Sequence, residues 1–176
     1  MSCLPVSYYG VSKLTSENLL RLAEAEGLKT TSFRMFSVYG PGQDLSNRDQ
    51  GMLSIYLSYL LEGSVLPVTG SLERFRDFVY IDDVIDAWIN AITTEETPHR
   101  TYNIGSGKKT TVRELIGLLL DELNLPEDHP VEEMKTKESD QVGVFADITR
   151  SVSELRFHPG TKLKDGIKNM VRYCES

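Results

Sequence analysis

The chain has no surplus of basic residues: its 176 positions carry 19 Lys and Arg against 26 Asp and Glu, a formal charge of −7. No Lys/Arg-rich stretch is present to track a phosphate backbone, which argues against nucleic acid as a partner. Long apolar runs are missing as well. None reaches the roughly eighteen residues needed to span a bilayer, so no membrane partner is expected. The start, Met1-Ser2-Cys3-Leu4-Pro5, lacks the charged residues and long apolar segment of a secretory signal. The two cysteines, Cys3 and Cys174, stand at opposite ends without metal-ligand spacing. They read as reduced thiols of a cytoplasmic protein, with a bridge between them left open. His99, His129 and His158 each sit beside a proline in loop-like sequence, so no metal is expected. A further absence matters more. A dinucleotide pyrophosphate is held where a glycine-rich turn follows a first strand and opens a helix, and no such unit occurs early in this chain; Gly105-Ser106-Gly107 comes late and lacks a third glycine.

Against these absences stands enough apolar residue, 40% of the chain, for a core of ordinary domain size. Val11, Leu14, Leu22 and Ala25 form an apolar stripe that predicts a helix over Tyr9 to Glu26, ended by Gly27. An alternating strand follows over Thr30 to Phe36, then a turn-rich loop, then a helix from Met52 to Leu61 ended by Gly63. Short strands are predicted at Val65 to Val68 and Asp77 to Ile81. The second leads into a helix capped by Asp82 or Asp83 that buries Val84, Ile85, Trp88, Ala91 and Ile92. Tyr102 to Ile104 is strand-like, and Thr111 with Glu114 has the spacing of a capping box. An acidic loop over Pro126 to Asp140, extended near Val131, precedes a helix at Thr149 to Leu155 and a last one carrying Leu163, Ile167, Met170 and Val171. Helices and strands alternate, so the fold class is α/β.

The pattern that carries chemistry is Tyr9-Gly10-Val11-Ser12-Lys13. A free phenol titrates near about pH 10, so a tyrosine that moves protons at neutral pH needs a cation beside it, and i,i+4 spacing places Lys13 one turn along the face of Tyr9. The same lysine could merely pair with Glu17, and Glu17 with Arg21, on a solvated face. Three further blocks follow in order: Ser32-Phe33-Arg34-Met35-Phe36-Ser37-Val38-Tyr39-Gly40-Pro41-Gly42-Gln43, Arg74-Phe75-Arg76-Asp77-Phe78-Val79-Tyr80-Ile81-Asp82-Asp83-Val84, and Tyr102-Asn103-Ile104-Gly105-Ser106-Gly107. Together with the Tyr/Lys pair, this series resembles the nucleotide-sugar epimerase/dehydratase branch of the extended short-chain dehydrogenase/reductase family, of the UDP-glucose 4-epimerase kind. The resemblance covers nearly the whole chain.

That resemblance implies the C-terminal portion of a Rossmann-type doubly wound sheet plus a small α/β substrate-binding domain. Residues 1–36 would be the last helix and strand of the NAD-binding domain, whose upstream part is missing. Residues 37–176 would be mainly substrate domain, with about 77–104 returning to the Rossmann core. The chain would be the C-terminal part of a longer enzyme. Tyr9 would act as general base and acid, and Lys13 would also hold the nicotinamide ribose of NAD, with NADP left open. The substrate, a nucleotide-diphosphate sugar, would meet Ser37, Met52, Pro67, Thr69, Arg76 and Lys137. A guanidinium fork suits a diphosphate, although Arg76 could instead pair with Asp77 or Asp82, and Arg74 reads as solvated. Two positions depart from the family's habit. Ser37 stands where asparagine is usual, and Thr69 replaces an aromatic residue that lies beside the nucleobase, so uracil is not implied.

The expected activity is oxidation of a sugar hydroxyl, at C4 by preference, to a transient ketose and return of the hydride. A dehydratase or reductase of the same family is the alternative, and a non-catalytic nucleotide-sugar-binding module is the alternative of another class. The longer protein is expected to be a homodimer. The chain by itself is expected to be inactive and to bind NAD poorly.

Overall fold

The structure, a computed structural model, describes residues 3–49, 51–94, 100–135 and 142–175. It opens with helix α1 (Tyr8–Ala25), capped by Ser7, whose Oγ accepts from the Gly10 N–H at 3.1 Å. Gly27, at φ 94°, ends the helix as predicted. The Gly27 N–H donates to the Glu24 carbonyl and the Leu28 N–H to that of Ala23, which satisfies two of the last carbonyls.

Strand β1 (Thr31–Met35) leads directly into β2 (Ser37–Tyr39), and helix α2 (Met52–Leu61) follows the turn-rich loop. Then come β3 (Leu66–Thr69), β4 (Phe75–Arg76) and β5 (Phe78–Tyr80), and helix α3 (Ile81–Thr93). Strands β6 (Arg100–Ile104) and β7 (Thr110–Thr111) precede helix α4 (Val112–Glu122). The chain ends with β8 (Val131–Met134) and helices α5 (Thr149–Leu155) and α6 (Leu163–Cys174). The capping box predicted from Thr111 and Glu114 is formed in both directions at the start of α4.

Strand pairs β1–β6, β2–β5 and β3–β8 are parallel, and β4–β7 is antiparallel. The fold class is α/β. At Phe36 the chain changes partner: its N–H donates to the Ile104 carbonyl at 2.9 Å, whereas the next N–H, of Ser37, donates to the Asp77 carbonyl at 2.9 Å. Such a break between strand pairings opens a crevice beyond the carboxyl end of β1, the kind of place where open α/β sheets bind ligands.

Two apolar clusters hold the chain together. The larger joins α2, α4 and α6 around Tyr39, Leu57, Leu66, Val68, Tyr80, Leu115, Leu119, Ile167 and Met170. The smaller gathers Val79, Val84, Ala87, Tyr102, Ile104, Leu155 and Phe157. Tyr39 and Tyr80 are core residues with engaged hydroxyls, as expected of buried tyrosine: Tyr39 donates to the Leu163 carbonyl and Tyr80 accepts from Asn169, each at 3.4 Å. Cys3 and Cys174 are free and exposed, so no bridge joins them.

Two sequence expectations about α3 are corrected. Its apolar residues spread over two faces. Val84 and Ala87 are buried, but Ile85, Trp88 and Ile92 are exposed, and Trp88 covers only part of itself by packing at a tilt against Phe33, with ring centres 4.7 Å apart. Asp82 and Asp83 do not cap the helix with their side chains. Asp83 reaches across to the start of the last helical segment, where it accepts from the N–H groups of Gly160 and Thr161 at 3.1 and 3.2 Å. A buried carboxylate needs such donors, and a loop far along the chain provides them.

Candidate active site

Lys13 lies on the same face of α1 as Tyr9, with Nζ 5.3 Å from the centre of the tyrosine ring. At that range an ammonium is attracted to the ring. Glu17, the competing partner for the lysine, is engaged elsewhere: Arg34 Nε and Nη2 donate to its two oxygens at 2.7 and 2.6 Å. This fork pins α1 to β1 and holds the Arg34 guanidinium charged well above its usual range. Tyr9 itself is 72% exposed, so its hydroxyl is open to a ligand.

Tyr9 borders two hollows. One, of about 470 Å³, is lined also by Ser37, Gln43, Gly51, Met52 and Arg76. The other, of about 460 Å³, runs between α1 and β1 past Lys13, Phe33 and Trp88. The structure therefore gathers Tyr9, Ser37, Met52 and Arg76 around one cavity, with Lys13 next door. A larger hollow, about 670 Å³, contains none of the expected residues; Arg34 on its wall is already committed to Glu17.

Local structure explains how each member arrives there. Ser37 stands at the change of strand partner, in register with Phe78. Met52 begins α2, whose N-cap, Gly51, offers no side-chain hydrogen bond. The start of that helix, from Gly51 to Leu53, borders the cavity, and the positive end of a helix dipole favours an anion. Arg76 belongs to β4, and its Nη1 donates to the Phe75 carbonyl at 2.8 Å. Its neighbour Asp77 is fully buried and does not serve as a surface partner. The Asp77 carboxylate accepts from Ser106 N and Oγ, both at 2.7 Å, from Gly107 N at 2.9 Å and from Ala146 N at 3.0 Å. Four donors fix the bend between β4 and β5, and with it the backbone that carries Arg76.

The same bonds test whether a dinucleotide fits. The Gly105-Ser106-Gly107 turn has two of its N–H groups committed to Asp77, so it is no pyrophosphate cradle, in keeping with its reading as a simple turn. Tyr9 and Lys13, by contrast, are accessible groups of the kind that a nicotinamide ribose requires.

Pro67 and Thr69 lie on β3, paired with Glu132 and Met134, and do not line the cavity that holds Tyr9 and Arg76. Lys137 lies outside the described residues. Arg74 corrects its expected solvation: it is only 8% exposed, because the segment runs beneath the start of α4, where its carbonyl accepts from the Val112 N–H at 2.8 Å. Two nearby residues escaped sequence reasoning. Tyr56 on α2 is buried, which pushes its phenol up, an effect eased by the positive charges of Arg74 and Arg76. Gln43 shares the cavity wall, and its place directly after Gly40-Pro41-Gly42 was the available signal.

Comparison with known proteins gives a consistent picture. The model of the family described as "NAD dependent epimerase/dehydratase family" matches residues 2–105. The dTDP-4-dehydro-6-deoxyglucose reductase of Escherichia coli is 31% identical over 170 residues, 96% of this chain and 52% of that protein. The dTDP-L-rhamnose 4-epimerase of Burkholderia thailandensis is 32% identical over 165 residues, 93% of this chain and 45% of that protein. Among solved structures, the UDP-glucose 4-epimerase of Thermotoga maritima with UDP-glucose superposes with a TM-score of 0.89 at 32% identity, covering 98% of this chain and 54% of that one. The UDP-glucuronic acid 4-epimerase of Bacillus cereus, crystallised with UDP-glucuronic acid and NAD, gives a TM-score of 0.90 at 26% identity, with 99% and 55% covered. The chain thus spans about half the length of the curated relatives it matches. With a family match over more than half its residues and the Tyr9/Lys13 pair beside a cavity containing Arg76, the chain belongs to the NAD dependent epimerase/dehydratase family.

Proposed function

We propose that this chain is the substrate-binding and proton-transferring part of a longer NAD-dependent enzyme that inverts a hydroxyl-bearing carbon, C4 by preference, of a nucleotide-diphosphate sugar. The observation that carries this reading is the position of Tyr9, which borders both the cavity of Ser37 and Arg76 and the groove of Lys13. A phenol at that junction can reach a sugar hydroxyl from one side while a cation stands on the other.

Arg76 and the start of α2 bind the diphosphate, since a guanidinium and the positive end of a helix border one cavity. Ser37 donates one further hydrogen bond, with a shorter reach than asparagine would have. Tyr9 takes the proton from the sugar hydroxyl and later returns it, and Lys13 favours the anionic phenol between these events. NAD, when bound, supplies the acceptor for the hydride. Its pyrophosphate would be held by the remainder of the longer protein, so the 176-residue chain is expected to bind NAD weakly and to be inactive alone. Residues 1–36 form part of the dinucleotide-binding domain in this reading and 37–176 mainly the substrate domain. Pro67 and Thr69 on β3 and Lys137 remain candidates for the nucleotide end of the ligand, and the longer protein is proposed to be a homodimer.

The test is to incubate a protein joining this chain to a dinucleotide-binding segment with a panel of UDP- and dTDP-hexoses and to follow each sugar by NMR. Inversion at one carbon without net consumption of NAD is expected. Loss of water, or net reduction, would move the assignment to a dehydratase or a reductase. No conversion of any member by a folded protein would contradict the reading.

A further inference from the structure

We propose that Arg34 is a positioning residue for the proton transfer: by holding both oxygens of Glu17 it leaves Lys13 to stand beside the ring of Tyr9. The inference rests on the reading of Tyr9 and Lys13 as the proton-transferring pair and adds to it a residue that acts on that pair through a third side chain.

Tyr9, Lys13 and Glu17 recur at intervals of four along α1, so the lysine has a ring one turn before it and a carboxylate one turn after it. It takes the ring. Lys13 Nζ lies 5.3 Å from the ring centre of Tyr9, while the Glu17 carboxylate is bound to Arg34.

Nothing in the helix alone decides that choice. An exposed ion pair at i,i+4 and an exposed ammonium on an aromatic face are of similar strength, so a free Glu17 would share the lysine with Tyr9. The third partner settles it. Arg34 Nε and Nη2 donate to separate oxygens of Glu17 at 2.7 and 2.6 Å, a parallel fork of the strongest kind that a carboxylate makes with a side chain. The Glu17 side chain is only 21% exposed, so solvent does little to loosen the fork. Arg34 belongs to β1, the strand that runs on to Ser37 in the substrate cavity.

Arg21, one turn beyond Glu17, is the other cation within reach of a freed carboxylate. Helical side chains lean toward the N-terminus, so Glu17 leans toward the turn of Lys13 while Arg21 leans toward Glu17. Removing Arg34 therefore leaves the carboxylate between two cations, and the expected loss is partial.

The experiment uses two readouts. In the 176-residue chain, NMR follows the nuclear Overhauser effect between the Lys13 ε-methylene and the Tyr9 ring, which Arg34→Gln is expected to reduce to about half and Arg34→Gln/Glu17→Ala to restore. In a protein joining this chain to a dinucleotide-binding segment, Arg34→Gln is expected to lower kcat by about two- to fivefold with KM unchanged. Arg34→Gln/Arg21→Gln should lower it further, and Arg34→Gln/Glu17→Ala should return it to the wild-type value. Glu17→Ala alone should turn over as the wild type does, although it breaks the fork as completely as Arg34→Gln. A residue that merely ties α1 to β1 would behave otherwise: Glu17→Ala would be as slow as Arg34→Gln, and the double variant no faster. Either result overturns the proposal, as does an unchanged Overhauser effect in Arg34→Gln; should that variant not fold, Glu17→Ala decides by itself. Tyr9→Phe separates the two levels. If it slows turnover while every Arg34 and Glu17 variant matches the wild type, only the role of Arg34 fails. If it turns over as the wild type does, the proton-transfer reading fails and the inference with it.

Discussion

Lys13 Nζ stands 5.3 Å from the ring centre of Tyr9, on the same face of α1 and one turn further on. That distance is short enough for the cation to act on the phenol and long enough to leave the hydroxyl, on a residue 72% exposed, open to a substrate. The fork from Arg34 to Glu17 contributes to this arrangement by engaging the carboxylate that would otherwise compete for the lysine.

Removing the cation therefore has a specific expected effect. In a longer protein containing this chain, Lys13→Met should lower kcat by about 10²-fold or more, because the proton-transferring ring loses the cation beside it. Turnover is measured under saturating substrate and NAD. Turnover close to that of the wild type would remove Lys13 from the account.

Asp77 fixes the backbone beside Arg76 from within. Its replacement by Ala would leave Ser106 N, Ser106 Oγ, Gly107 N and Ala146 N facing an empty site. We expect Asp77→Ala to lower the unfolding free energy of the chain by at least about 3 kcal/mol, measured by urea denaturation. Asn should recover little, since its NH₂ group must face one of these donors. A loss below about 1 kcal/mol would mean that the turn finds other acceptors.

Alkaline stability offers a third test. Burial, with Asp83 beside it, raises the Tyr39 phenol well above its ordinary value, and burial raises Tyr56 as well. Below the unfolded value, about pH 10, both states keep the proton and stability is unaffected. As pH rises above that value the unfolded phenol ionises while the folded one does not, so stability falls, by at most about 1.4 kcal/mol per pH unit for each group. Tyr39→Phe should show a shallower decline above pH 10 than the wild type (about pH 10 being the free phenol value). Parallel curves would remove Tyr39 from the account.

Local features were the legible part of this fold. The bounds of α2, Met52–Leu61, and of α5, Thr149–Leu155, agree with the sequence reading, as do the capping box of Thr111 and Glu114 and the ending of α1 at Gly27. Each depends on residues a few positions apart. What could not be read depends on distant partners. The bonds from Asp83 to Gly160 and Thr161, from Asp77 to Ser106 and Ala146, and the burial of Arg74 under α4 all join segments far apart in the chain. The Tyr9/Lys13 pair was legible because a helix brings i and i+4 together, and Arg76 because its block was intact. Gln43 was not, because its burial against Gly51 comes from the course of a loop.

The measurement that tests the account most directly is the turnover of Tyr9→Phe in a protein joining this chain to a dinucleotide-binding segment, using the nucleotide sugar that the wild type inverts. The phenyl ring keeps the shape beside Lys13 but has no proton to move. The account predicts a kcat lower by about 10²–10⁴-fold, with nucleotide-sugar affinity retained. Turnover close to that of the wild type would contradict it.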